Sequence, residues 1–237
     1  MRIAAVGDLH CRKSSAGSIA PQLAHVNDVA DVLLLCGDLT DYGLVDEAHV
    51  LARELSALRV PMIGVLGNHD FEAGHPEEVA RVLREAGVQM LDGDACEVHN
   101  VGFAGVKGFV GGFGRSTLGP WGEPSIKRFV QEAIDEALKL ESALSRLRTE
   151  RRVAVMHYAP IRQTVEGEPA DIFAYLGCSR LEEPLGRYPV DAVFHGHAHH
   201  GTPEGRSATG TPVYNVAMPL LKQAFPNAPP FRVLELT

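Results

Sequence analysis

Five short apolar runs constrain this chain more than any other feature of its sequence. They are Ile3–Val6, Val32–Leu35, Met62–Leu66, Val153–Met156 and Ala192–Phe194. Each is continuous rather than alternating and rich in branched side chains. That pattern belongs to strands covered on both faces, not to strands with one wet face. Stretches with helical periodicity lie between them, at roughly 19–30, 45–58, 76–86, 124–149 and 179–187. Strand and helix in alternation predict an α/β architecture. Residues 96–110 predict a hairpin turning near Asn100, and 211–217 and 231–236 predict two more strands. These three segments suit a second sheet outside the strand–helix series. Two sheets packed face to face, with helices outside, accommodate both sets.

The 237 residues, 45% hydrophobic and 22% charged, are sufficient to build one full core. No linker is evident, so a single domain over 1–237 is expected. Ile126, Val130, Ala133, Ala137, Leu140, Leu144 and Leu147 form one apolar stripe on the long predicted helix. Such a stripe faces a core, or alternatively forms a dimer seam. The net charge of −8 leaves no broad basic face for nucleic acid. Cys11, Cys36, Cys96 and Cys178 are widely spaced and contain no CxxC pair, so buried free thiols are expected. No apolar run reaches membrane-spanning length and no signal-peptide layout opens the chain; a soluble cytoplasmic protein is the expectation.

The residues immediately after the five runs are more specific. The first run leads into Asp8-Leu9-His10 and the second into Gly37-Asp38. The third leads into Gly67-Asn68-His69-Asp70, the fourth into His157, and the fifth into His195-Gly196-His197-Ala198-His199-His200. Each strand thus delivers an Asp, Asn or His at its carboxyl end, where ligands bind in open α/β sheets. Any one of these pieces occurs by chance; five in order, at the same end of five strands, do not. Imidazole nitrogen together with carboxylate and amide oxygen suits divalent ions such as Mn²⁺, Fe²⁺ or Zn²⁺, and argues against Ca²⁺. Asp8, His10, Asp38, Asn68, His157, His197 and His199 are seven candidate ligands, too many for one ion. One shared carboxylate would give four protein contacts to each of two. Two carboxylates against two divalent ions leave positive charge for a phosphate ester.

The blocks D-x-H, GD, GNHD, H and GHxH resemble the calcineurin-like metallophosphoesterase superfamily, over residues 8 to 199. The resemblance implies a four-layer α/β/β/α sandwich with two mixed sheets flanked by helices. It implies one ion held by Asp8, His10, Asp38 and His199. A second is held by Asp38, Asn68, His157 and His197, with Asp38 bridging. Mn²⁺, Fe²⁺/Fe³⁺ or Zn²⁺ are the implied ions, and activation of water for attack on phosphorus is the implied chemistry. His69 is then a catalytic group facing the leaving oxygen, beside Asn68, with Asp70 orienting its ring. The tyrosine that purple-type members carry three residues after the GD aspartate is replaced by Asp41, which counts against an iron–tyrosinate centre. His195 and His200 match no family ligand; a hydrogen-bonding role and an exposed position are expected of them. His25, His49, His75 and His99 are expected to be ordinary surface or structural histidines.

The absence of an added cap points to an open cleft and loose specificity. A small phosphoester such as a nucleotide is the expected substrate, with phosphodiesterase activity the first choice and monoesterase its near rival, which the motifs do not separate. The Gly-rich segment 108–122 offers two readings: a tied surface loop, or a lid in which Arg115 meets a phosphate oxygen. A nuclease and a non-catalytic scaffold of the same fold are the competing functions.

Overall fold

The computed structural model describes residues 1–236. The first half of the chain runs β1 (Arg2–Val6), α1 (Ala20–Leu23), α2 (Val26–Val29), β2 (Val32–Cys36), α3 (Val45–Leu55), β3 (Met62–Val65), α4 (Pro76–Glu85) and β4 (Val88–Met90). After these come β5 (Asp94–Val98), β6 (Val101–Gly105), α5 (Pro124–Arg146), β7 (Arg151–Val155), α6 (Phe173–Leu176), α7 (Glu183–Arg187) and β8 (Ala192–His195). The chain closes with β9 (Glu204–Arg206), β10 (Pro212–Asn215), α8 (Met218–Ala224) and β11 (Arg232–Glu235).

Two mixed sheets form, ordered β11-β1-β2-β3-β4 and β5-β6-β7-β8-β10-β9. Within the first, β1 to β4 are parallel and β11 is antiparallel to β1. Within the second, β6, β7, β8 and β10 are parallel, and β5 and β9 are antiparallel edges. The grouping differs from the sequence expectation in one respect. Strands β7 and β8 belong to the second sheet, and the chain's last strand returns to the edge of the first. Apolar runs alone carry no information about which partner a strand takes; backbone pairing decides that.

Continuous apolar strands make sense in this arrangement because every second residue faces a different layer. In the first sheet Ala4, Val6, Leu33 and Leu35 pack against Leu51 of α3 and Val79 and Leu83 of α4. The intervening Ile3, Ala5, Leu34, Ile63 and Val65 face Phe103, Val153, Val155 and Phe194 of the second sheet. The outer face of that sheet, including Ala104, Ala154 and Val193, packs on Leu140, Ala143 and Leu144 of α5 and on Leu147 just after it. The stripe on α5 is thus consumed inside the chain. The helix predicted over 19–30 is split into α1 and α2, and 179–187 into a 3₁₀ turn (Ser179–Leu181) and α7. The hairpin turn falls at His99 and Asn100, both with positive φ (50° and 63°), as a two-residue turn of that hand requires. All four cysteines are free and buried. Among the described residues no helix is long and apolar enough to cross a membrane.

Candidate metal centre

The carboxyl ends of β1, β2 and β3 in one sheet, and of β7 and β8 in the other, meet at one edge of the sandwich. The loops after β1 and β2 run side by side: the amides of Asp8, His10 and Cys11 donate to the carbonyls of Gly37, Asp38 and Leu39 at 2.9, 3.0 and 3.0 Å. Asp8, His10, Asp38 and His197 all adopt positive φ, at 57°, 44°, 48° and 71°. For non-glycine residues each such conformation costs about 1–3 kcal/mol and persists where surrounding structure enforces it. Here the strain coincides with four of the seven predicted ligands. Two glycines allow the loops to close in. A Cβ on Gly67 would clash with the amide and carboxylate of Asp38, and one on Gly196 with the carboxylate of Asp8.

Three donor clusters result, each with its ligand atoms within 4.8 Å of one another: Asp8, His10 and His199; Asp38, His157 and His197; and His10, Asp38 and His69. His199 Nε2 lies 2.9 Å from Asp8 Oδ1 and 3.4 Å from His10 Nε2. His157 Nε2 lies 2.9 Å from Asn68 Oδ1 and 3.4 Å from Asp38 Oδ1. Asp38 Oδ2 is 3.9 Å from both His10 Nε2 and His69 Nε2. Asp38 therefore turns one oxygen toward each half of the site. The seven side chains converge from five loops. Buried carboxylates and imidazole nitrogens so close to one another suit a cationic guest, so the donor set fits divalent metal.

Partners outside this ring fix which nitrogen of each imidazole faces inward. His157 Nδ1 donates to the Cys36 carbonyl at 3.0 Å, leaving Nε2 for the centre. His197 Nε2 donates to the Tyr175 carbonyl at 3.0 Å, leaving Nδ1. His10 Nδ1 sits 3.3 Å from Asp41 Oδ1, close enough for attraction though misaligned for a full hydrogen bond. Asp41 is itself held by Arg12 Nε at 2.8 Å. The Asp41 carbonyl also accepts from His69 Nδ1 at 2.7 Å, which leaves His69 Nε2 facing the site. Outer contacts of this kind fix tautomer and ring orientation in metal sites.

Electrostatics agree with a site built for positive charge. Burial by itself would raise the Asp8 and Asp38 carboxyls. The hydrogen bond from His199 to Asp8, and His157 beside Asp38, outweigh it and hold both below the usual carboxylate range. Burial would likewise discharge His157, yet Asp38 and Asp8 raise it to about 9. Burial, with the charged His157 beside it, outweighs Asp8 and Asp38 at His197 and lowers it to about 4.

Some expectations change. Asp70 does not touch the His69 ring. Its buried carboxylate accepts from the amides of Leu39, Thr40 and Gly67 and from the Thr40 hydroxyl, at 3.2, 2.8, 2.8 and 2.6 Å. It clamps the β2 loop to the β3 loop, and the ring is oriented by Asp41 instead. The reason is local: His69–Phe71 forms a 3₁₀ helix, which sends consecutive side chains in different directions. Asp41 had a sequence signal, a second aspartate three residues after Asp38, but the spacing did not disclose its role. His195 is buried, its two ring nitrogens 2.8 Å from the Gly196 carbonyl and 2.8 Å from Thr164 Oγ1. His200, His25, His49, His75 and His99 are exposed.

The segment 108–122 is tied down at several points rather than free. Gly111, Gly112 and Leu118 amides donate to the carbonyls of Ala174, Gly177 and Gly111, and Phe113 is buried against Leu176 and Ala198. Arg115 lies exposed at its surface. It makes no side-chain hydrogen bond or ion pair among the described residues.

The fold has solved counterparts. The chain is similar to phosphopantetheinyl hydrolase (PptH) from Mycobacterium tuberculosis, with 17% identity over 98% of this chain and 95% of that one (TM-score 0.68). A putative 5′-nucleotidase from Staphylococcus aureus shares 17% identity over 90% of this chain and 48% of its own (TM-score 0.57). GAP50, the anchor in the inner membrane complex of Plasmodium, shares 14% over 92% and 72% (TM-score 0.54). At these identities the likeness establishes the fold alone. No functionally curated protein matches the sequence. The profile of the calcineurin-like phosphoesterases matches residues 1–201, the stretch that carries every convergent side chain described above, and the chain belongs to that family.

Proposed function

We propose that the protein is a two-metal phosphodiesterase acting on small phosphoesters. The observation that carries this reading is Asp38, whose two oxygens belong to two donor clusters on opposite sides of it. In this reading Asp8, His10, Asp38 and His199 hold one ion, and Asp38, Asn68, His157 and His197 hold the other. When bound, a pair of divalent ions supplies charge for the phosphoryl oxygens and lowers the pKa of water. The remaining work falls to the chain. His69, with Nδ1 occupied by the Asp41 carbonyl, presents Nε2 to the substrate side and donates a hydrogen bond or proton toward the leaving oxygen. Asp70 keeps the loops carrying Asp38 and His69 in register. Arg115, exposed on the neighbouring loop, offers its guanidinium for a phosphate oxygen. The similarity to phosphopantetheinyl hydrolase supports a phosphoester substrate.

The test is hydrolysis of bis-p-nitrophenyl phosphate against p-nitrophenyl phosphate with added Mn²⁺, Fe²⁺ or Zn²⁺. Diester turnover that chelator abolishes is the expected result. Faster turnover of the monoester would make the protein a phosphatase. Bound metal with no turnover of either would make it a scaffold.

A further inference from the structure

A further strand end at this edge carries a polar side chain with no place among the seven candidate ligands. β10 runs parallel to β8, and its last residue, Asn215, lies opposite His195. Asn215 is fully buried. Its Oδ1 accepts the amide of Ala217 at 3.1 Å, which fixes the way the carboxamide faces. Nδ2 then donates to two carbonyls, that of Ala198 at 2.8 Å and that of Thr164 at 3.2 Å. Both hydrogens of the amide are thus committed. Ala198 is the residue between His197 and His199. Thr164 opens the segment that reaches Tyr175, whose carbonyl accepts from His197 Nε2 at 3.0 Å.

The residues after Asn215 reach the first ligand loop. The Val216 carbonyl accepts the Gly7 amide at 2.8 Å, and the Gly7 carbonyl accepts the Met218 amide at 3.0 Å. Gly7 precedes Asp8, whose carboxylate oxygens lie 3.1 and 2.9 Å from the His197 amide and, through Oδ1, 2.9 Å from His199 Nε2. One buried carboxamide therefore ties the turn that carries two imidazoles to the stretch that carries Asp8. That turn is strained: His197 has a φ of 71°, a backbone that persists only where its neighbours enforce it. The carbonyls of Ala198 and Thr164 each accept a second donor, the amides of Gly201 and Thr202 at 3.3 and 3.1 Å. Loss of the carboxamide thus leaves neither carbonyl without a partner, so the fold should survive it.

We propose that Asn215 is a positioning residue of the metal centre, setting the separation of His197 and His199 and their register with Asp8. The inference rests on the two-metal reading and adds to it a side chain that touches neither ion nor substrate. The test titrates Mn²⁺ into the chelator-stripped full chain by calorimetry, for wild type, Asn215→Ala, Asn215→Leu and Leu144→Ala. Asn215→Leu fills the space with no polar atom, so a cavity cannot account for its effect. Leu144→Ala opens a cavity in the core under α5 and controls for lost stability alone. Circular dichroism checks the fold of each, and Asn215→Ala decides by itself if leucine is not accommodated. The Asn215 variants should bind Mn²⁺ about 10- to 100-fold more weakly. The loss should fall on both ions, because Ala198 stands between their two imidazoles. The visible absorption of the Co²⁺-loaded protein should shift in the same variants. Leu144→Ala should have a lower thermal midpoint without metal, yet keep wild-type affinity and spectrum. Wild-type affinity in Asn215→Ala, or an equal loss in Leu144→Ala, would overturn the assignment. A wild type that binds no Mn²⁺ sinks the two-metal reading and this assignment together; binding that is the same in wild type and Asn215→Ala sinks the assignment alone. The expected affinity pattern without turnover of bis-p-nitrophenyl phosphate supports the positioning role and removes the phosphodiesterase.

Discussion

Asp41 offers a sharp test of how the centre is organised, because its two halves do different things. Its carboxylate lies 3.3 Å from His10 Nδ1 and 2.8 Å from Arg12 Nε, while its main-chain carbonyl holds His69. Asp41→Asn keeps an oxygen near the imidazole but removes the charge that makes the ring a better ligand. Asp41→Ala leaves both His10 Nδ1 and Arg12 without that partner. Removing an outer partner of a ligating histidine costs about 10- to 100-fold in metal affinity. That range corresponds to about 1.4–2.8 kcal/mol. The exposed Arg12 screens part of the charge, so Asp41→Asn belongs near the lower figure and Asp41→Ala near the upper. Titrating Mn²⁺ into chelator-stripped protein by calorimetry reads the affinity directly. Because the His69 contact is made by the backbone, kcat on a diester at saturating Mn²⁺ should be largely retained in both variants. Unchanged affinity in Asp41→Ala, or a collapse of kcat with affinity intact, would refute this division of roles.

The same geometry sets other outcomes. His69→Ala should lower kcat by about 10²- to 10⁴-fold, the usual weight of a general acid, while metal content measured by elemental analysis stays near wild type. Stripping metal should lower the thermal midpoint, since an ion at 100 times its Kd stabilises the fold by about 2.7 kcal/mol; a scan with and without chelator checks this. Gly67→Ala should impair metal binding by driving a methyl group into Asp38, visible as lost Mn²⁺ stoichiometry in a chain that still folds by circular dichroism. Arg115→Ala should raise KM on an anionic diester with little change in kcat, and unchanged kinetics would remove this side chain from the site.

How much of the molecule was legible in the residue order depends on the kind of signal. The strand positions were, because β1, β2, β3, β7 and β8 are buried on both faces and so appear as unbroken apolar runs. Short edge elements such as β4 and β9, at three residues each, carry too little pattern to be recognised. The split of 19–30 into α1 and α2 was hidden because helical propensity does not register where tertiary packing bends a chain. The candidate ligands were legible because each block sits immediately after a strand, and a strand's carboxyl end has a fixed place in this architecture.

Residue order by itself determined the α/β class, the seven convergent side chains and the core-facing stripe of α5. These arise from local periodicity and from chemistry concentrated at strand ends. Only the tertiary structure decided which sheet each strand joins. It also decided that Asp41 rather than Asp70 steers His69, and that His157 of the second sheet meets the Cys36 carbonyl of the first. Those contacts join residues 28 and 121 positions apart, and nothing in a linear pattern encodes the distance between side chains that backbone pairing brings together.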